Sequence, residues 1–301
     1  MESRKLNLNI VERVSEFELL MKDFLLKNQV YQILFRGKGL EFDSYRDYAP
    51  DDDAQDIDWK ASARANKPLV KRYIEERDLK IMILVDVSDN MIMGSTEKLK
   101  CEYAAEAAVS LGHLIITSGD KLGFGFFNNH VVKMVFPEKG MKQFERFVYE
   151  ISDPLLYGGK SDVTSGIENF LSYFDESFSS VVIISDFIKI RRGQGILFEL
   201  FAKRFETMAI AVRDPLDMTM PDIKGEIVLE NPETAEQIIV DPSVARRLYE
   251  QNALEQERFV KHILEDSGID FLSLTTDKPF PPLLAEFLNE RVEKKKYLVF
   301  K

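Results

Sequence analysis

The chain has 301 residues, 45% of them hydrophobic and 30% charged, enough to bury one sizeable core with an appended smaller unit and too apolar for disorder. A formal net charge of −11 argues against broad binding to a phosphate backbone, so no nucleic acid partner is expected. The single cysteine, Cys101, excludes an intrachain disulfide and, in its Ala-rich stretch, reads as a small core side chain in a reducing compartment.

From the amino terminus, Val11, Val14, Phe17, Leu20, Met21, Phe24 and Leu25 recur at helical steps and predict an amphipathic helix. Glu12, Arg13, Glu16, Glu18, Lys22 and Asp23 interrupt this stretch, so neither a signal peptide nor a membrane span is read there and a cytoplasmic location is expected. A strand-like run, Val30 to Phe35, precedes a turn-rich segment opened by Gly37 and Gly39 that has no clear period. Ile81 to Val85 is a continuous apolar run, as for a strand buried on both faces, and it ends at Asp86. A helix over about Lys98 to Thr117 follows, its alanines permitting close approach to a sheet.

Leu122–Phe127 and Val131–Phe136 flank Asn128 and Asn129 and read as a hairpin at an antiparallel edge. Helices are expected near Met141–Ile151 and Thr164–Phe174, with a loop at Tyr157–Asp162 between them. The strand Val181–Ile184 ends in Ser185 and Asp186. A helix near Gly195–Phe205, a strand Met208–Val212, a last strand Phe271–Leu274 and a helix Pro282–Val292 complete the alternation. Gly225–Leu229 and Gln237–Val240 read as an inserted surface hairpin. The expected fold class is α/β, a doubly wound and mostly parallel sheet with one antiparallel edge strand, plus an N-terminal helix and an inserted β-hairpin. Residues 1–78 would form the N-terminal helix and an acidic segment packed on the core, and 79–301 the α/β domain with its hairpin at about 217–242.

Open α/β sheets bind ligands at the carboxyl ends of their strands, which directs attention to Asp86 and Asp186. In Asp86-Val87-Ser88-Asp89-Asn90, the Ser88 and Asn90 oxygens can turn toward the point Asp86 faces, and Ser161 or Thr164 could supply a second loop. Oxygen ligands of this kind suit Mg²⁺; the competing reading is that aspartates and serines at strand ends cap the next helix. Upstream, Asp51, Asp52, Asp53, Asp56 and Asp58 crowd together among Arg46, Lys60, Arg64, Lys71 and Arg72. The reading preferred for this cluster is an ion-paired network docking the segment, with Trp59 as its buried anchor.

The order Asp86-x-Ser88, Gly158-Gly159 with Ser161, and Ser185-Asp186 resembles the metal-ion-dependent adhesion site of von Willebrand factor A domains. Asn90 stands where that motif has a second serine, and Ser161 where it has a threonine. The segments Gly39-Leu40-Glu41-Phe42, Tyr45 to Pro50 with Arg46, Asp52-Asp53, Asp56-Ile57-Asp58-Trp59-Lys60 and Ser62-Ala63-Arg64 resemble the signature of the prokaryotic "domain of unknown function 58" family, itself similar to von Willebrand factor A domains. Asp51 occupies the place of the family's usual glycine. The resemblance runs from about Phe35 to Arg291. It implies a non-enzymatic protein-binding adaptor that works with a MoxR-type AAA ATPase in assembling or activating protein complexes, through a Mg²⁺ adhesion-type site and without membrane insertion.

The other function class is a metal-dependent phosphoester hydrolase using Asp86 and Asp186 as ligands. It would need two metals or a general base. The three histidines, His113, His130 and His262, form no H-E-x-x-H or H-x-H arrangement, and neither a Walker loop nor a Gly-x-Ser-x-Gly elbow occurs.

Overall fold

Strand Lys80–Asp86 (β3) shows how the core is built. Its side chains alternate between the two sheet faces, as the strand period of two requires: Ile81, Ile83 and Val85 enter one apolar cluster, Met82 and Leu84 the other. Both faces are therefore covered, and the apolar run is continuous. The computed structural model describes residues 5–25, 40–49, 57–75, 79–174, 178–231, 234 and 236–299. The expected strand at 30–35 and the turn at 37–39 lie outside these residues.

In chain order the remaining elements are α1 (Ile10–Leu25), β1 (Leu40–Asp47), α2 (Trp59–Ala65) and β2 (Leu69–Glu75), then, after β3, α3 (Lys100–Thr117), β4 (Lys121–Phe127), β5 (Val131–Glu138) and α4 (Met141–Ile151). They continue as α5 (Val163–Leu171), β6 (Ser180–Ser185), α6 (Gly195–Arg204), β7 (Glu206–Arg213) and the single turn α7 (Pro215–Met218). Last come β8 (Ile227–Glu230), β9 (Gln237–Val240), α8 (Pro242–Asp266), β10 (Asp270–Thr275) and α9 (Phe280–Val299).

The main sheet has six strands in the order β10-β7-β6-β3-β4-β5. Every neighbouring pair is parallel except β4–β5, which puts the antiparallel strand at one edge as expected. Helices α1, α3, α4 and α9 pack on one face, and α5, α6 and α8 on the other. On helix α3, Ala104, Ala105, Ala107 and Ala108 are all fully buried, and their small side chains permit close approach to the sheet. On β4, a Cβ at Gly125 would stand 2.7 Å from the Phe170 ring, so the glycine makes room for that ring to reach the strand.

Phe17 and Met21 of α1 are buried in the first cluster. The chain before α1 is tied to α3: Asn7 N donates to Glu102 Oε1 at 2.6 Å, and Lys98 Nζ donates to Asn7 O. Cys101 is a buried core thiol whose pKa is pushed up to about 12, chiefly by desolvation.

Four of these elements, the single turn α7 aside, were not anticipated. The segment without a period contains a two-stranded antiparallel ribbon, β1–β2, with α2 between the strands, and the long helix α8 fills the stretch between the inserted hairpin and β10. The hairpin itself, β8–β9, forms where it was expected.

Candidate functional site

Where β3 ends, Asp86 is almost wholly buried. Its Oδ1 accepts from Ser88 N at 2.9 Å and its Oδ2 from Ser185 Oγ at 2.6 Å, so the last residue of β6 clamps the carboxylate leaving β3. Desolvation, followed by the nearby charge of Asp186, raises the Asp86 pKa to about 6, with the bonds from Ser185 and Ser88 opposing the shift. The Ser88 hydroxyl faces this carboxylate and favours its charged form, yet its Oγ has no hydrogen-bond partner of good geometry among the described residues and is completely buried.

The loop after β3 is joined to the loop at 157–161. Gly158 N donates to Val87 O at 2.7 Å, Asp89 N to Gly159 O at 2.8 Å, and Gly159 N to Asp89 Oδ1 at 3.1 Å. Gly159 has φ +90°, and a Cβ there would stand 2.4 Å from Asn128 Nδ2. Only glycine meets both conditions. Ser161 is buried two residues further on, just before Asp162, which caps α5 by accepting from Ser165 N at 3.1 Å. Asn90 is buried on the short 3₁₀ turn Asp89–Ile92. The loop after β6 supplies Asp186, fully buried, with Oδ1 accepting from Ile188 N at 3.1 Å. The next residue, Phe187, has φ +51°, a conformation that costs a non-glycine residue about 1–2 kcal/mol. Ser185 Oγ, accepting from Phe187 N, and Gln256, whose Nε2 donates to Phe187 O and Ile188 O, hold it there.

The five residues Asp86, Ser88, Asn90, Ser161 and Asp186 thus occupy the three loops at the carboxyl end of the sheet. Asp86, Ser88 and Asp186 are brought together directly; Asn90 and Ser161 are buried on the flanking loops. What sequence reasoning missed is the basic side of the site. Lys100, at the start of α3 and 1% exposed, places Nζ 3.1 Å from Asp186 Oδ2 and 3.0 Å from Asp217 Oδ2. Burial alone would lower the lysine's pKa, but the two carboxylates outweigh it and hold the ammonium above its usual range. Asp186 therefore does more than repel Asp86: Asp186→Asn would leave the buried ammonium with Asp217 alone. Arg213, Asp217 and Gln256 complete this side.

The oxygen donors here are the Asp86 and Asp186 carboxylates, the buried Ser88 hydroxyl and the Asn90 amide, hard-oxygen chemistry suited to Mg²⁺. Among the described residues no three His, Cys, Asp or Glu side chains group as a metal cluster, so a cation here would rely on hydroxyl, amide and water oxygens beside Asp86. Asp186 is shared with Lys100 and would act from the second position. The residues fit a singly anchored Mg²⁺, with Asp86 and Ser88 as its nearest holders.

Of the acidic cluster, Asp51, Asp52, Asp53 and Asp56 lie outside the described residues, and only Asp58 can be placed. Asp58 is the N-cap of α2: its Oδ1 accepts from Lys60 N and Ala61 N, both at 3.0 Å, and its Oδ2 accepts from Tyr45 OH at 3.0 Å. Trp59 is 69% exposed and is not a buried anchor. It occupies the first position of a seven-residue helix whose one buried residue, Ser62, accepts from Leu69 N of β2. Arg46 and Arg64 are exposed, and Glu41 lies on β1.

The family described as "Protein of unknown function DUF58" matches residues 44–259. The chain is 28% identical over 262 residues, 86% of its length and 81% of the relative's, to "Uncharacterized protein Rv1480" of Mycobacterium tuberculosis. Among solved structures it is similar to the conserved hypothetical protein BatB from Bacteroides thetaiotaomicron, with 13% identity, 71% of this chain and 99% of that one covered, and a TM-score of 0.46. It is also similar to the SpRpn10 VWA domain, with 14% identity, 70% and 93% covered, and a TM-score of 0.39. At such scores the fold assignment rests on the strand order and pairing given above.

Proposed function

The chain belongs to the DUF58 family, and on that premise we propose that it is a non-enzymatic protein-binding adaptor that presents the carboxyl-end face of its sheet to a partner. The observation that carries this reading is the convergence of three loops on Asp86, Ser88 and Asp186, with the fully buried Ser88 hydroxyl set beside a carboxylate of raised pKa. Mg²⁺, when bound, supplies an open coordination position that a partner's carboxylate can fill. This chain's residues do the rest: Ser185 and Ser88 N orient the Asp86 oxygens, Lys100 fixes Asp186, and Gly158 and Gly159 hold the second loop against the first.

An adaptor is favoured over a catalyst by the groups available. The Cys101 thiol is buried and hard to ionise, and the histidines engage elsewhere, His113 against the Phe144 ring, His130 with Asn129 and His262 with Asp266. The partner implied by the family resemblance is a MoxR-type AAA ATPase or the protein complex on which it acts. The reading also places the protein in the cytoplasm, and no described helix is long and apolar enough to cross a membrane.

The test is co-migration of the full chain with a MoxR-type AAA ATPase in gel filtration, in Mg²⁺ and in EDTA. A complex that forms in Mg²⁺ and is weakened by Ser88→Ala supports the proposal. Absence of any complex, or one indifferent to both EDTA and Ser88→Ala, contradicts it.

A further inference from the structure

Beside the strand ends, between the β8–β9 hairpin and α8, lies a cavity of about 740 Å³. Pockets for small ligands are typically on the order of 300–1,000 Å³, apolar with a few placed polar groups. Ile188, Leu229 and Ile238 give this one apolar walls; Lys100 and Arg213 are its buried cations, with Lys189, Asp217 and, at the exposed rim, Glu230 and Glu236 also lining it.

The two cations are served unequally. Lys100 is taken by Asp186 and Asp217, at 3.1 and 3.0 Å. Arg213, the last residue of β7, is 2% exposed; its one side-chain hydrogen bond among the described residues runs from Nη2 to Gln256 Oε1 at 2.9 Å, and its Nε has no partner there. Asp186, Asp217 and Glu257 are close enough to be felt electrostatically, but none forms an ion pair with it, and desolvation holds its pKa below the usual value. A buried guanidinium served by one amide oxygen is a costly arrangement, and its planar fork matches a carboxylate in shape and charge.

We propose that this cavity binds a carboxylate carried on an apolar body, the carboxylate meeting Arg213 and the body lying against Ile188, Leu229 and Ile238. The cavity adjoins the strand-end cluster and shares Lys100, Arg213 and Asp217 with it, but this proposal requires no divalent cation. The carboxylate could belong to a free organic acid or to a glutamate flanked by apolar residues in a protein, two sources with the same chemistry.

The experiment is isothermal titration of the full chain in EDTA with sodium octanoate, 1-octanol and the peptide N-acetyl-Leu-Glu-Leu-amide. Octanoate is expected to bind at least about tenfold more tightly than octanol, the gain for one charge-assisted bond. Arg213→Met should abolish that preference. Ile238→Glu, at a position 60% exposed on the hairpin, should weaken octanoate by setting a like charge at the mouth, and it leaves the core untouched. Peptide binding that is lost in Arg213→Met while octanoate fails to bind would assign the carboxylate to a protein. Equal binding of octanoate and octanol, undiminished carboxylate binding in both variants, or no binding of either carboxylate probe overturns the proposal. Because EDTA removes any cation, these outcomes leave the cation-assisted capture of a partner to be judged separately.

Discussion

Lys100→Met removes the ammonium that holds Asp186 and Asp217 and keeps a side chain of similar length. Truncating one member of a buried pair costs about 3–5 kcal/mol, because the other charge is left without compensation. Here the upper part of that range is expected: Asp186 is fully buried and already repels Asp86, and without the Lys100 ammonium the two carboxylates would face each other with Arg213 felt by Asp186 but not ion-paired to it. The assay is urea denaturation in EDTA at pH 7.5. With an m-value of about 3 kcal/mol/M, a loss of about 4 kcal/mol lowers the midpoint by about 1.3 M. Lowering the pH to 5.5 should restore part of the loss by protonating one of the carboxylates, and Mg²⁺ should stabilise the variant more than it stabilises wild type. A loss below about 1 kcal/mol, or one unaffected by pH, would refute the reasoning that Lys100 balances this cluster.

Asp86 has a pKa of about 6 in the fold against an ordinary 3.8, so between those values the folded state binds more protons than the unfolded chain. Stability of the cation-free protein from this group should therefore rise as pH falls from 7 to 5, by about 1 kcal/mol, and Asp86→Asn should remove that rise in urea titrations at the two pH values. Gly159→Ala places a Cβ 2.4 Å from Asn128 Nδ2 at φ +90° and should cost at least about 1 kcal/mol in the same assay, while weakening any Mg²⁺-dependent stabilisation. Trp59→Ala, at a site 69% exposed, should cost less than about 1 kcal/mol; a loss of 3 kcal/mol or more would show that the side chain is anchored after all.

Much of the central domain was legible because its signals are local. Continuous apolar runs at 81–85, 181–184 and 208–212 mark strands covered on both faces, and the asparagine pair at 128–129 marks the antiparallel edge. Helix α8 was missed because few of its residues are buried, only Pro242, Val260 and Leu264, so it lacks a strong apolar stripe; the Asp241-Pro242 cap was the signal that could have found it. The β1–β2 ribbon escaped because a twisted two-stranded unit with polar residues such as Arg46 and Asp47 on exposed positions shows no clean alternation. Trp59 was misplaced for a related reason: large aromatics are usually buried, and only the orientation of the short helix behind Asp58 decides otherwise.

At the site, Asp86, Ser88 and Asp186 were readable from the rule that ligands gather at strand ends. Lys100, Arg213 and Gln256 were not, since each reaches the cluster from a distant part of the chain. Lys100 alone changes the electrostatics from a repelling pair to a partly balanced network. That pairing is what a sequence without contacts cannot display.

The central claim, that Asp86 and Ser88 form a cation-assisted binding face, is tested most directly by following the melting temperature of the EDTA-treated full chain as Mg²⁺ is added. A ligand bound only by the folded state stabilises it by about 2.7 kcal/mol at a hundredfold excess over its dissociation constant. For a chain of this size that corresponds to a rise of roughly 4 °C. The account predicts a saturating rise that is diminished in Ser88→Ala and abolished in Asp86→Asn. No shift of the wild-type protein at millimolar Mg²⁺ would contradict it.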